Sequence, residues 1–207
     1  MGANASPVRR RRKHNHGVYC IEADWWRDGS RASVQPVLEL LHRWDPSNRV
    51  EYIHRDVATR SEFEYYVDQW CQSRFSAFPV LYVAMHGNHG YIEFGDRRKR
   101  ETKVDLDELG NLIAGRGSGR MVHFGSCNTL KVHGGRIRSF LKQTRLECVS
   151  GYGDQLDWFQ ASALDALWLG AIQDRSMRVQ GLRASERELL KVARSFHRYG
   201  EMRVAYR

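Results

Sequence analysis

Two apolar, β-branched runs constrain this chain more than any other feature. They are Pro79-Val80-Leu81-Tyr82-Val83-Ala84-Met85-His86-Gly87 and Arg120-Met121-Val122-His123-Phe124-Gly125-Ser126-Cys127-Asn128. Each reads as a buried strand that closes on a turn of small residues carrying one reactive side chain. Strand patterns at 17–23, 49–57, 147–150 and 202–206 accompany them, with a small hairpin at 91–95 whose charged tip spans 96–101. Helical spacing runs through 33–44, 106–114, 134–144 and a long amphipathic stretch at 156–172. Thr59 or Ser61 is placed to cap a helix over 62–75, and Ser185 to cap one over 185–199. Strands alternating with helices specify an α/β architecture, with a mostly parallel central sheet covered by helices on both faces.

The bulk properties narrow the class. At 207 residues the chain can bury a substantial core, and 42% hydrophobic with 28% charged residues is ordinary for a globular protein. No apolar run reaches the roughly 20 residues needed to span a bilayer, and no apolar segment follows the basic N-terminus as in a secretory signal. Four widely spaced cysteines form neither a CxxC pair nor a disulfide framework. A reducing, cytoplasmic location is the expectation. Cys20, Cys71 and Cys148 lie in apolar runs or on a helix and read as inert core residues.

The net charge is +9, and five of those charges sit in Arg9-Arg10-Arg11-Arg12-Lys13, leaving a modest +4 elsewhere. Residues 1–16 read as a disordered basic tail. Such a run suits nucleic acid or anionic membrane, the weaker of the partner readings, because no base-reading motif accompanies it. Met1-Gly2-Ala3-Asn4-Ala5-Ser6 also fits the short N-myristoylation pattern.

His86 and Cys127 end their strands 41 positions apart, and functional groups gather at the carboxyl ends of parallel strands. A cysteine attacks as its thiolate and needs a base, which a histidine supplies. Gly87 allows a close approach of its main-chain N–H to a substrate. Together with the Cys127 N–H it makes a candidate oxyanion hole. Thiol-dependent acyl transfer, with hydrolysis of an amide, follows from this set. His89 is a competing base by position and His123 should point into the sheet packing. His133 lies in the turn after the cysteine. A zinc site from His86, His89, His123 and Cys127 matches no familiar ligand spacing, so neither metal nor cofactor is expected.

Met85-His86-Gly87 and Gly125-Ser126-Cys127-Asn128 resemble the histidine and cysteine motifs of the caspase-like cysteine peptidases, the clan of caspases, metacaspases and CHAT domains. The resemblance runs from Val18 to at least Trp168. It implies a three-layer caspase-like fold, one peptidase domain over 17–207, and catalysis by Cys127 and His86. It also implies a peptide substrate, with activation by a partner, a small-molecule signal or homo-oligomerisation, possible roles including antiviral defence. Caspases place glutamine and metacaspases aspartate two residues before the cysteine, where this chain has Gly125. Asp24, Asp154 and Asp157 lie in regions that border the specificity pocket of the clan, and they favour a basic residue before the cleaved bond. Of the adjacent Trp25 and Trp26, one is expected to wall the cleft, here Trp25. Trp158 and Phe159 with Leu164, Leu167 and Trp168 read as the core face of a helix. A catalytically silent sensor or scaffold of the same fold is the alternative.

Overall fold

The computed structural model describes residues 15–25, 32–44, 49–95, 100–199 and 201–207. The basic run at 9–13, the lipidation pattern at 1–6, Trp26 and most of the expected hairpin tip lie outside the described residues. In chain order the strands are β1 (Val18–Glu22), β2 (Tyr52–Asp56), β3 (Val80–Ala84), β4 (His86–Asn88), β5 (Tyr91–Glu93), β6 (Lys103–Asp105), β7 (Met121–Phe124), β8 (Cys148–Tyr152) and β9 (Met202–Tyr206). The helices are α1 (Gln35–Arg43), α2 (Arg60–Cys71), α3 (Leu106–Ile113), α4 (Gly134–Thr144), α5 (Trp158–Ala171) and α6 (Val179–Tyr199).

Six strands form one sheet in the order β2-β1-β3-β7-β8-β9, parallel throughout except for β9, which pairs antiparallel with β8. Successive strand residues point to opposite faces, and they sort accordingly into two cores. Tyr19, Ile21, Leu81, Val83, Val122 and Phe124 pack with α2, α3 and α4. Val18, Cys20, Val80, Tyr82, Met121 and Cys148 pack with α1, α5 and α6. The result is the expected three-layer α/β arrangement, a mostly parallel sheet between two helical layers.

Local chemistry explains most element boundaries. Thr59 caps α2 in a capping box with Glu62, and Asp105 does the same for α3 with Glu108. Ser185 is not a cap. It lies inside α6, fully buried, and its hydroxyl donates to the Gly181 carbonyl one turn back. The helix begins at Val179 because Leu182 and Leu189 extend the buried stripe in both directions from Ser185.

Two readings of local structure change. The small hairpin is a three-stranded antiparallel sheet, β4-β5-β6, and its first strand begins at His86 itself. Gly90, at φ +85°, makes the turn between β4 and β5. Strand β8 runs on through Gly151 and Tyr152, because Tyr152 packs fully buried under α5.

Candidate active site

Strands β3 and β7 are neighbours in parallel register, with Val83 opposite Phe124. That offset of 41 positions is the same as the offset from His86 to Cys127, so the two residues leave adjacent strands at the same level. Gly87 seals the approach. A Cβ at that position would collide with Thr129 Oγ1 and stand 2.8 Å from Ser126 Cβ and 3.1 Å from the Cys127 carbonyl oxygen. The histidine and cysteine turns therefore touch through a glycine that no other residue could replace without displacement.

His86, Gly87 and Cys127 all line one cavity of about 400 Å³, together with Trp25, Glu93, Gly125, Asn128, Leu156, Trp158 and Asp165. His86 Nε2 is hydrogen-bonded to the Trp25 main-chain carbonyl. A carbonyl oxygen only accepts, so Nε2 carries the proton and the basic lone pair lies on Nδ1. The Trp25 ring meets the imidazole edge-to-face at 5.7 Å. Cys127 is half-buried, and the main chain of Leu156 brackets its sulfur, N–H to Sγ at 3.5 Å and Sγ to carbonyl at 3.6 Å. Asn128, the next residue, sits in the left-handed region at φ +57°, a conformation asparagine tolerates better than most side chains. Its Oδ1 is buried with no hydrogen-bond partner.

Behind the histidine lies Glu22, the last residue of β1 and 3% exposed. Its Oε1 accepts from the Trp25 indole at 2.7 Å and the Val34 main-chain N–H at 2.8 Å. Its Oε2 accepts from Ser33 Oγ at 2.7 Å and His54 Nε2 at 2.6 Å. Burial alone would raise the Glu22 pKa, but these donors, His54 foremost, overcome burial and hold it below its ordinary value. His54 moves the opposite way. Burial would lower its pKa, and the bond and charge of Glu22 raise it above the ordinary imidazole value. Glu22 thus fixes Trp25, whose carbonyl fixes His86.

Behind the cysteine lies Asp165 of α5, 2% exposed. Its Oδ1 accepts from His123 Nε2 at 2.7 Å and the Tyr152 hydroxyl at 2.5 Å, and its Oδ2 from the Tyr82 hydroxyl at 2.5 Å. Ser150 Oγ lies 2.9 Å from both His123 Nδ1 and the Trp168 indole nitrogen. The indole donates to Ser150, which is in turn hydrogen-bonded to Nδ1, and Nε2–H donates to Asp165. Burial first, and the charge of Asp165 second, push both tyrosine pKa values well up, so the phenols remain donors.

A family model described as "Family of unknown function (DUF6642)" matches residues 15–199. The chain belongs to DUF6642. No curated protein matches it. Among solved structures, one titled "structure of pro-sf-caspase-1" is similar at a TM-score of 0.37 and 14% identity, over 61% of this chain and 54% of that chain. The chain thus spans about half the length of that match.

In this DUF6642 chain the remaining expected residues divide clearly. Trp25 lines the cavity. Asp24, Asp154 and Asp157 do not. Asp24 is exposed just past β1. Asp154 accepts from the Gln155 N–H and stands 3.8 Å from Lys131 Nζ. Asp157 is the N-cap of α5, accepting from Phe159 and Gln160. His89 is exposed outside the cavity, and His133 caps α4. Among the described residues, the one group of three candidate metal ligands lying within 4.8 Å of one another is Glu22, His54 and Asp56, so the four-residue His/Cys zinc set does not assemble.

The aromatic stretch of α5 also differs from its reading as a core face. Leu164 and Trp168 are buried, whereas Phe159 and Leu167 are exposed and Trp158 walls the cavity. Asp165, Glu22 and Asn128 were missed at sequence level. Asp165 did leave a signal, as the single charged residue between Trp158 and Ile172.

Proposed function

We propose that this protein is a caspase-like cysteine endopeptidase with Cys127 as nucleophile and His86 as general base. The observation that supports the reading is the shared register of β3 and β7, with a histidine and a cysteine lining one cavity. His86 Nδ1 takes the thiol proton, and Sγ forms a bond to the substrate carbonyl carbon. The main-chain N–H groups of Gly87 and Cys127 face the resulting oxyanion. His86 returns the proton to the leaving amine as the C–N bond breaks, leaving a thioester. Water then attacks with His86 as base, the C–S bond breaks, and a carboxylic acid departs with the thiol restored. Glu22, through Trp25, keeps the imidazole in the tautomer this cycle requires.

The test is covalent labelling by peptidyl acyloxymethyl ketones followed by mass mapping of the modified residue. Labelling confined to Cys127 and abolished in His86→Ala supports the dyad. Labelling that persists in Cys127→Ala would sink it.

A further inference from the structure

The backbone at Gly125 passes directly over the Asp165 carboxylate. A Cβ on Gly125 would lie 3.0 Å from Asp165 Oδ2 and 2.8 Å from the Tyr82 ring. Only a missing side chain leaves this carboxylate as part of the cavity wall, two residues before the nucleophile. The acceptor inventory of Asp165 is also incomplete. A carboxylate offers about four lone-pair positions, two on each oxygen. Three are occupied, both on Oδ1 and one on Oδ2. The vacant position belongs to Oδ2, the oxygen beneath Gly125.

Charge points the same way. The charged side chains lining the cavity are Glu93 and Asp165, with no lysine or arginine among them. Glu93 already faces Lys103 Nζ at 3.5 Å, whereas the ionisable partner of Asp165 is a histidine, His123, and not a lysine or arginine. Asn128 also lines the cavity, and its Oδ1 is buried with no hydrogen-bond partner. A ligand that only donates hydrogen bonds and carries positive charge suits the open position on Asp165. A buried carboxylate in low dielectric attracts such a group far more strongly than a surface acid does.

We infer that Asp165, reached past Gly125, is the floor of a cation pocket that selects lysine or arginine as the residue before the scissile bond. The inference rests on the endopeptidase reading above and assigns the selecting residue. One vacant acceptor position admits a single N–H contact rather than a forked guanidinium pair. The pocket therefore reads charge and discriminates little between lysine and arginine.

The experiment compares inactivation rates of the full chain by peptidyl acyloxymethyl ketones ending in arginine, lysine, leucine or citrulline, the neutral isostere of arginine. The wild type should favour arginine and lysine over citrulline by about 100-fold, the scale of a desolvated charge contact, with the two cations within about 10-fold of each other. Asp165→Asn should lose about 100-fold on the cationic probes and stay within about 3-fold on citrulline and leucine. A wild type indifferent to charge overturns the inference. So does an Asp165→Asn variant that keeps its basic preference, or one that slows equally on all four probes as a structural hub would. Should the variant fail to fold, wild-type protection decides. Agmatine must slow iodoacetamide alkylation of Cys127 more than neutral N-butylurea does, and equal protection overturns the pocket. Should no probe label the wild type, the endopeptidase reading falls, and calorimetry with agmatine decides the pocket alone. Binding lost in Asp165→Asn supports it, and no binding overturns it.

Discussion

Glu22 and Asp165 are both almost fully buried carboxylates near the carboxyl end of the sheet, one behind the histidine and one behind the cysteine. Glu22 has all four acceptor positions filled by protein donors, two on each oxygen. It lines no cavity. Asp165 has three filled, lines the cavity, and keeps its open position on Oδ2, the oxygen beside Gly125. The pair shows how one functional group serves two ends. A saturated buried carboxylate holds its neighbours in place, whereas one left a donor short can still accept a further donor.

The comparison breaks at once if neither acid serves a reaction. Cys127→Ala should therefore lower peptide hydrolysis by at least about 10³-fold with little change in thermal stability, as removal of a nucleophile does. A fluorogenic peptide assay beside a melting curve checks both. Asp165→Asn comes next, with its selective loss of about 100-fold on basic residues. Glu22→Gln should act differently. Placing an amide N–H₂ among four donors costs about 1–3 kcal/mol of stability, and loosening Trp25 should lower kcat about 10-fold while the preference between arginine and citrulline holds. Chemical denaturation and the same four-probe panel report the two effects. If Glu22→Gln shifted the preference and Asp165→Asn did not, the assignments would be reversed.

The pH dependence sharpens the saturated side. The raised His54 contributes stability that is complete below its unfolded pKa of about 6.5 and lost as pH climbs through the higher folded value. The lowered Glu22 contributes stability complete above about 4.3 and lost as pH falls through its folded value. Wild type and His54→Gln should therefore differ most in Tm between about pH 4.3 and 6.5 and converge on the alkaline side. A constant difference across pH would remove the ion pair from the account. The smallest effect concerns the other thiols. Burial pushes Cys20 and Cys148 well up and Cys71 up, so native iodoacetamide should label Cys127 alone, readable by intact mass.

Much of the framework could be read from residues. The apolar runs are strands because β-branched side chains repeat without polar interruption, and the capping boxes at Thr59 and Asp105 start helices through their own side chains. The strand-end positions of His86 and Cys127 were legible because they follow from local pattern. The acids were not. Asp24, Asp154 and Asp157 flank strand ends in sequence, yet Asp157 caps a helix and Asp154 faces Lys131. Asp165 lies mid-helix, away from any strand end in sequence, and only the packing of α5 against β3, β7 and β8 brings it to the cavity.

The sequence alone determined most of the strands and helices and placed a histidine and a cysteine at strand ends, because those depend on periodicity and intrinsic chemistry within a few positions. The tertiary structure decided the register that aligns His86 with Cys127, and it decided which buried acid is saturated and which is open. Donors reach Asp165 from β3, β7 and β8, and Gly125 exposes it from a fourth segment of chain. An acceptor count of that kind is a property of elements meeting in space, and no local stretch of sequence contains it.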